Sequence, residues 1–355
     1  MTRQEIICLL GAFVIAFIFS FAATPLVKAW AVKFKAMDVP QDGRRMHKEP
    51  IPRLGGLAII FGFAVALLMF YGPLDRKMIA ILIGAGIIMV MGVIDDIKTL
   101  DAKPKFLIQI IAALVVIIGG DLKIDVITNP NFFAANPYWT LPEWFSIVVT
   151  IVWIVFITNA VNFIDGLDGL AAGVSAIMSV SLVFIAVKLG EYPVAVIGTS
   201  LMGGCFGFLP YNFNPAKIFM GDTGSTFLGF ILATLSIQGV FKSYAIISFA
   251  VPLLILGLPL FDAVFAMVRR ISKGQSPMQA DRGHLHHRLI DTGFSQKQTV
   301  FILYSISGVL GITAVVLAES NALRAILILL CVLVLILIEA LALSTNHNEK
   351  NDDNE

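Results

Sequence analysis

Eleven apolar runs, each long enough to cross about 30 Å of hydrocarbon as a helix, constrain this chain more than any motif in it. They fall roughly at 5–28, 54–72, 78–94, 104–120, 144–160, 168–188, 192–210, 225–241, 245–268, 298–318 and 322–343. Inside a bilayer the backbone must satisfy its own N–H and C=O groups, so runs of this length specify helices. Only 14% of the residues are charged and 58% are hydrophobic, far from a soluble domain. The expected fold is an all-α polytopic membrane protein of about 11 transmembrane helices, a single transmembrane domain over 1–345. The first run is uncharged from Ile6 to Val27 and has no convincing cleavage site, so it reads as retained.

An odd number of spans puts the two termini on opposite sides. Most Lys and Arg residues follow spans 1, 3, 5, 7 and 9, which assigns those connections to the cytoplasm. The N-terminus is then outside and the C-terminus cytoplasmic, ending in a polar, acidic tail at 346–355 that reads as disordered and solvated. Cys8, Cys205 and Cys331 each lie within an apolar run, so neither a disulfide framework nor a cysteine metal cluster is implied. The net charge of +1 says nothing about partners, and no nucleic acid is expected among them. Turn residues and aromatics in 121–143 suggest a small interfacial hairpin or lid on the outer side.

The chemistry-bearing stretches all fall on the cytoplasmic side. Asn159, Asn162, Asp165 and Asp168 recur every third residue between two apolar runs, with Gly166 and Gly169 beside the carboxylates. Carboxylates in that position need a cation, a donor or water, and the glycines let a ligand or another backbone approach. Asp95 and Asp96 end the third span, where adjacent carboxylates repel and oppose the helix dipole. They can bind Mg²⁺, or one can take a proton from an acidic nucleophile.

Gly221-Asp222-Thr223-Gly224-Ser225 opens the eighth span, so a helix N-terminus there can receive an anion with Asp222 holding a divalent ion against it. Arg44, Arg45, Lys48 and Arg53 suit either phosphate binding or positive-inside anchoring, and Gly55-Gly56 suggests a closely packed helix start. Arg282, His284, His286 and Arg288 suit a pyrophosphate better than zinc, because the other motifs supply hard oxygen donors. Asp262, a helix turn or more below that loop, needs a partner of its own.

Together these stretches describe a cytoplasmic cleft for a phosphorylated, water-soluble donor and a membrane-embedded acceptor. Here the chain resembles the polyprenyl-phosphate N-acetylhexosamine-1-phosphate transferases of glycosyltransferase family 4. Asp95-Asp96, Asn159 to Leu170, Met220 to Ser225 and His284-Leu285-His286-His287-Arg288-Leu289 match that family's motifs in order. The histidine motif looks like the form in enzymes that initiate teichoic-acid or O-antigen synthesis. The resemblance implies a UDP-GlcNAc–undecaprenyl-phosphate N-acetylglucosaminephosphotransferase, giving undecaprenyl-diphosphate-GlcNAc and UMP at the cytoplasmic face of the cell membrane.

It also implies Mg²⁺, with Mn²⁺ as a substitute, held by Asn162 and Asp222. Asp95 and Asp96 would be the catalytic pair serving the lipid phosphate. Lys48, Asn159, Asp165, Asp168, Arg282, His284, His286 and His287 would bind substrate. The expected partners are UDP-GlcNAc, undecaprenyl phosphate and the lipid bilayer, with a homodimer left open. Two alternatives remain: a phospho-MurNAc-pentapeptide transferase of the same superfamily, and a multipass transporter or lipid flippase. A transporter would place its polar site near the bilayer midplane, whereas this chain gathers its polar residues at one face.

Overall fold

A computed structural model describes residues 1–40, 49–128, 138–239, 250–274 and 283–319. Lys48, Arg282, the expected span at 322–343 and the tail at 346–355 lie outside the described residues. The chain opens with a long helix, Arg3–Lys33 (α1), whose start is closed by a capping box between Thr2 and Glu5. A two-stranded ribbon, Met37–Asp38 (β1) with Ile51–Pro52 (β2), leads into Gly56–Phe70 (α2). Arg76–Lys98 (α3) is capped by the Asp75 carboxylate, and Ala102–Leu114 (α4) continues into a π-helical turn at Val115–Gly119. A second ribbon, Val126–Thr128 (β3) with Tyr138–Thr140 (β4), forms the hairpin expected between the fourth and fifth runs. The Ile124 N–H to Thr150 Oγ1 and the Ser146 hydroxyl to Asp125 fasten that hairpin's base, both at 2.9 Å.

Glu143–Phe163 (α5), Leu170–Leu189 (α6), Tyr192–Asn212 (α7) and Gly221–Gly239 (α8) follow. Then come Ala250–Ile255 (α9), Gly257–Ser272 (α10), Leu285–Asp291 (α11) and Gln296–Ala318 (α12), the last again begun by a capping box, Ser295 with Gln298. Among the described residues seven helices are long and apolar enough to cross a membrane: α1, α3, α4 with its π turn, α5, α6, α7 and α12. This is a multi-pass, all-helical membrane protein. The run at 54–72 gives only a 15-residue helix, α2. Within the run at 245–268 the described residues form two helical segments, α9 and α10, interrupted at Leu256.

The run at 225–241 is α8, and it is the axis of the bundle. Every residue of α8 except Asp222 is buried, with α2, α3, α5 and α6 packed around it. A helix surrounded by protein can carry Thr, Ser and Gln where a lipid-facing one cannot, which explains its weaker hydropathy. Its first turn is gripped from two sides. A Cβ on Gly56 of α2 would collide with the backbone of Gly224, and one on Gly92 of α3 with that of Thr223. The bareness of these two positions brings three backbones together where the motif residues meet.

Candidate active site

The site is built at the first turn of α8. Asp96, at the end of α3, accepts the Asp222 N–H at 2.9 Å, the Thr223 N–H at 3.0 Å and the Thr223 hydroxyl at 2.7 Å. Its side chain is fully shielded, and the Arg53 guanidinium lies 3.5 Å away. The N–H groups at this helix start that lack an intrahelical partner therefore already hold an anion, and it is Asp96. Asp95 faces the other way. It accepts the Leu100 N–H at 2.6 Å and pairs with Lys105 of α4 at 3.0 Å. Lys105 also pairs with Asp222 at 3.0 Å, so one ammonium bridges two carboxylates. Arg53 reaches Asp222 from the opposite side at 3.9 Å.

Beside this cluster opens a cavity of about 420 Å³, lined among others by Arg53, Asn162, Asp165, Asp168, Asn214, Phe219, Asp222 and His287. One wall is the loop 164–169 between α5 and α6. Gly169 adopts φ 80°, a conformation open to glycine, and closes that turn. Its N–H donates to Asn212 Oδ1 at 3.1 Å, and its carbonyl accepts the Tyr304 hydroxyl from α12 at 2.6 Å. Asn212 also donates to the Ile218 carbonyl at 3.0 Å, tying this loop to the segment before α8. Asp168 completes the wall by accepting from Asn214 Nδ2 at 2.9 Å and from the Ala216 N–H at 3.0 Å.

Asp165 is half-buried against the cavity. Burial, and then the nearby Asp222 carboxylate, raise its pKa to about 8, while Arg53 opposes the shift. Arg53 is held above the usual guanidinium range. Its own burial works against that, and the Asp96 and Asp222 charges overcome it. Asn162 spends an amide hydrogen on Ser225 Oγ at 2.8 Å, which leaves its carbonyl oxygen for a cation.

The histidine motif forms the cavity's other flank. Asp262 of α10 accepts the Leu285 N–H at 2.7 Å and contacts His284 Nδ1 at 2.9 Å, so its buried carboxylate fixes the start of α11. The His284 ring lies 5.8 Å from those of Phe163 and His286. His286 is buried under Gly166, where any Cβ would strike its ring. Burial, reinforced by neighbouring His287, lowers its pKa to about 3. His287 alone of the three lines the cavity.

The structure thus brings Asn162, Asp165, Asp168, Asp222 and His287 to one cavity. Asp95 and Asp96 lie at its margin, joined to it through Lys105 and Arg53. Asn159, His284 and His286 sit behind the lining. Asn159 is paired with Gln109 of α4, its Nδ2 donating to Gln109 Oε1 at 2.6 Å. Sequence reasoning passed over Lys105, Gln109, Asn212, Asn214 and Tyr304 as site residues. A visible signal existed for two of them, since Lys105 and Gln109 are polar, four residues apart and at the start of an apolar run.

The donor set also bears on a cation. Among the described residues no group of three or more His, Cys, Asp or Glu side chains forms a ready-made metal cage. Asn162 and Asp165 at the end of α5 and Asp222 of α8 instead offer two carboxylates and an amide from two segments around one cavity. That fits Mg²⁺, which takes one or two carboxylates and leaves its other positions to phosphate oxygens and water.

Comparison with known proteins adds the family. Residues 78–240 match glycosyl transferase family 4. A Bacillus subtilis protein named probable undecaprenyl-phosphate N-acetylglucosaminyl 1-phosphate transferase is 38% identical over 90% of this chain and 88% of its own length. The decaprenyl-phosphate N-acetylglucosaminephosphotransferase of Mycolicibacterium smegmatis is 35% identical over 84% of this chain and 79% of its own. An undecaprenyl-phosphate alpha-N-acetylglucosaminyl 1-phosphate transferase from Salmonella typhi is 26% identical over 88% and 85%.

Proposed function

Because the chain belongs to glycosyl transferase family 4, we propose that it transfers GlcNAc-1-phosphate from UDP-GlcNAc to undecaprenyl phosphate at the cytoplasmic membrane face. The products are undecaprenyl-diphosphate-GlcNAc and UMP, the first lipid-linked intermediate of a surface polymer. The observation that carries the reading is the cavity at the start of α8, where carboxylates, an amide oxygen and Arg53 converge at one end of a bundle of apolar helices. A soluble diphosphate can enter such a site while its partner phosphate stays anchored in lipid.

In the reaction an oxygen of the lipid phosphate attacks the phosphorus bonded to the sugar, and UMP leaves. Asn162, Asp165 and Asp222 would hold Mg²⁺, which when bound supplies charge neutralisation for the diphosphate. Arg53 and Lys105 fix the Asp222 carboxylate between them and keep positive charge beside incoming phosphates. Asp168 sets the position of the wall at 214–216, and His287 presents a ring from the opposite flank. Asp95 is the better placed of the two adjacent aspartates to serve the acceptor, since Asp96 is wholly engaged with the backbone of α8. The purified protein should release UMP only when UDP-GlcNAc, undecaprenyl phosphate and Mg²⁺ are all present. Release that continues at full rate in EDTA, or with UDP-GlcNAc alone, would refute the reading.

A further inference from the structure

Three helices meet at this site through a ring of three polar side-chain links, one between each pair of helices. Each helix contributes two residues, one helical turn apart: Lys105 and Gln109 from α4, Asn159 and Asn162 from α5, Asp222 and Ser225 from α8. Lys105 pairs with Asp222 at 3.0 Å. Asn162 donates to Ser225 at 2.8 Å. Gln109 and Asn159 exchange amide hydrogen bonds at 2.6 and 3.4 Å, and these close the ring. The first two links touch the proposed chemistry, whereas the third lies a turn deeper in the bundle and outside the cavity lining.

We propose that the Gln109–Asn159 pair is a positioning element that sets the register of α4 against α5, and so the place of Lys105 and Asn162 relative to Asp222. Helix α4 needs such a device. It carries Phe106, Leu107 and Ile111 on an exposed apolar face, so apolar packing secures it from one side only. Apolar side chains slide over one another at little cost, while a reciprocal amide pair fixes both depth and rotation. Gln109 is buried to 3% exposure in an apolar segment, where leaving its amide unpaired is costly. Asn159 also donates to the Val155 carbonyl at 2.8 Å, which holds its amide plane toward α4. Asn159 then acts through α4 and α5 rather than on the substrate.

The positioning role rests on the proposed transferase reading, and the test separates the two. Kinetics and thermal unfolding are measured in lipid nanodiscs for wild type, Gln109→Met, Asn159→Leu and the double variant, all close in shape to the original side chains. Each single change strands one buried amide and should lower kcat by about tenfold or more, with KM for UDP-GlcNAc held within about twofold. The double variant removes both amides and the register device with them, so its kcat should be no slower than either single variant and still about tenfold below wild type. Thermal midpoints should show the same coupling, the double variant losing less than the two single losses added.

Unchanged kcat in both single variants would overturn the proposal. So would a double variant back at wild-type kcat, because the register would then hold without the pair, or a loss confined to Asn159→Leu, because Asn159 would then act on the substrate. A wild-type protein with no transferase activity refutes the function proposed above, and the thermal cycle still decides the pairing, since additive losses would overturn it.

Discussion

The Asp96 carboxylate accepts both the backbone N–H and the hydroxyl of Thr223, at 3.0 and 2.7 Å. A side chain so engaged joins the end of α3 to the start of α8 and aims Asp222, one residue earlier, toward the cavity. Asp96→Asn keeps one acceptor but turns an N–H₂ toward existing donors. It should cost about 1–3 kcal/mol of stability and weaken UDP-GlcNAc binding along with kcat, because Arg53 loses its nearest counter-charge. Thermal unfolding and calorimetric titration check this together. Lost kcat with unchanged stability and donor affinity would instead place Asp96 on the reacting atoms.

Asp168 and Asn214 should behave as one unit. Asp168 holds the wall at 214–216 through two hydrogen bonds, and Asn214 also donates to Gln296 Oε1 at 2.7 Å. Asp168→Asn and Asn214→Ala should each raise KM for UDP-GlcNAc by about tenfold, and the double variant should be little worse than either. Effects that multiply would mean the two residues contact the donor separately.

His286 gives the protein a pH dependence whose direction is fixed. Burial holds its folded pKa near 3, against an ordinary value of 6.5, amid His284, His287 and Asp262. The unfolded chain therefore takes up a proton below 6.5 that the folded chain refuses until about 3. Stability from this residue is present above 6.5 and is lost as pH falls through that window. Between pH 7.5 and pH 5 the thermal midpoint of His286→Gln should drop by less than that of wild type. Equal drops would assign the acid sensitivity to other groups.

The Lys and Arg distribution predicts an orientation, with the site on the cytoplasmic side, that labelling can test. In a background without native cysteines, a cysteine at Asp121 should react with an impermeant maleimide added to intact cells, and one at Lys273 should not. Both positions are exposed, so burial does not confuse the outcome. The reverse pattern would turn the site away from the cytoplasmic pool of nucleotide sugars.

What the sequence made legible was whatever depends on local pattern. Apolar runs located the helices, and the polar islands between them named Asn162, Asp165, Asp168, Asp222 and His287, which the fold brings to one cavity. The interruption at Leu256 was hidden because α9 and α10 share one apolar run, and hydropathy does not register the dihedral angles of a single residue. The weak hydropathy of α8 likewise gave no hint that it is the bundle's axis, since that depends on its neighbours. The sequence put Asp96 beside Asp95 at the lipid phosphate, and nothing local shows that Thr223 will meet it 127 residues later. Asn212 and Tyr304 escaped for the same reason: each matters through a partner distant in the chain.

The central claim is that the phosphate attached to the sugar moves with it. Purified protein given UDP-GlcNAc labelled with ³²P on that phosphate and with ³H in the sugar, together with undecaprenyl phosphate and Mg²⁺, tests this directly. Both labels should enter the lipid in equal proportion and the released nucleotide should be unlabelled UMP. Recovery of ³H in lipid with ³²P left in UDP would show transfer of the sugar alone and contradict the account.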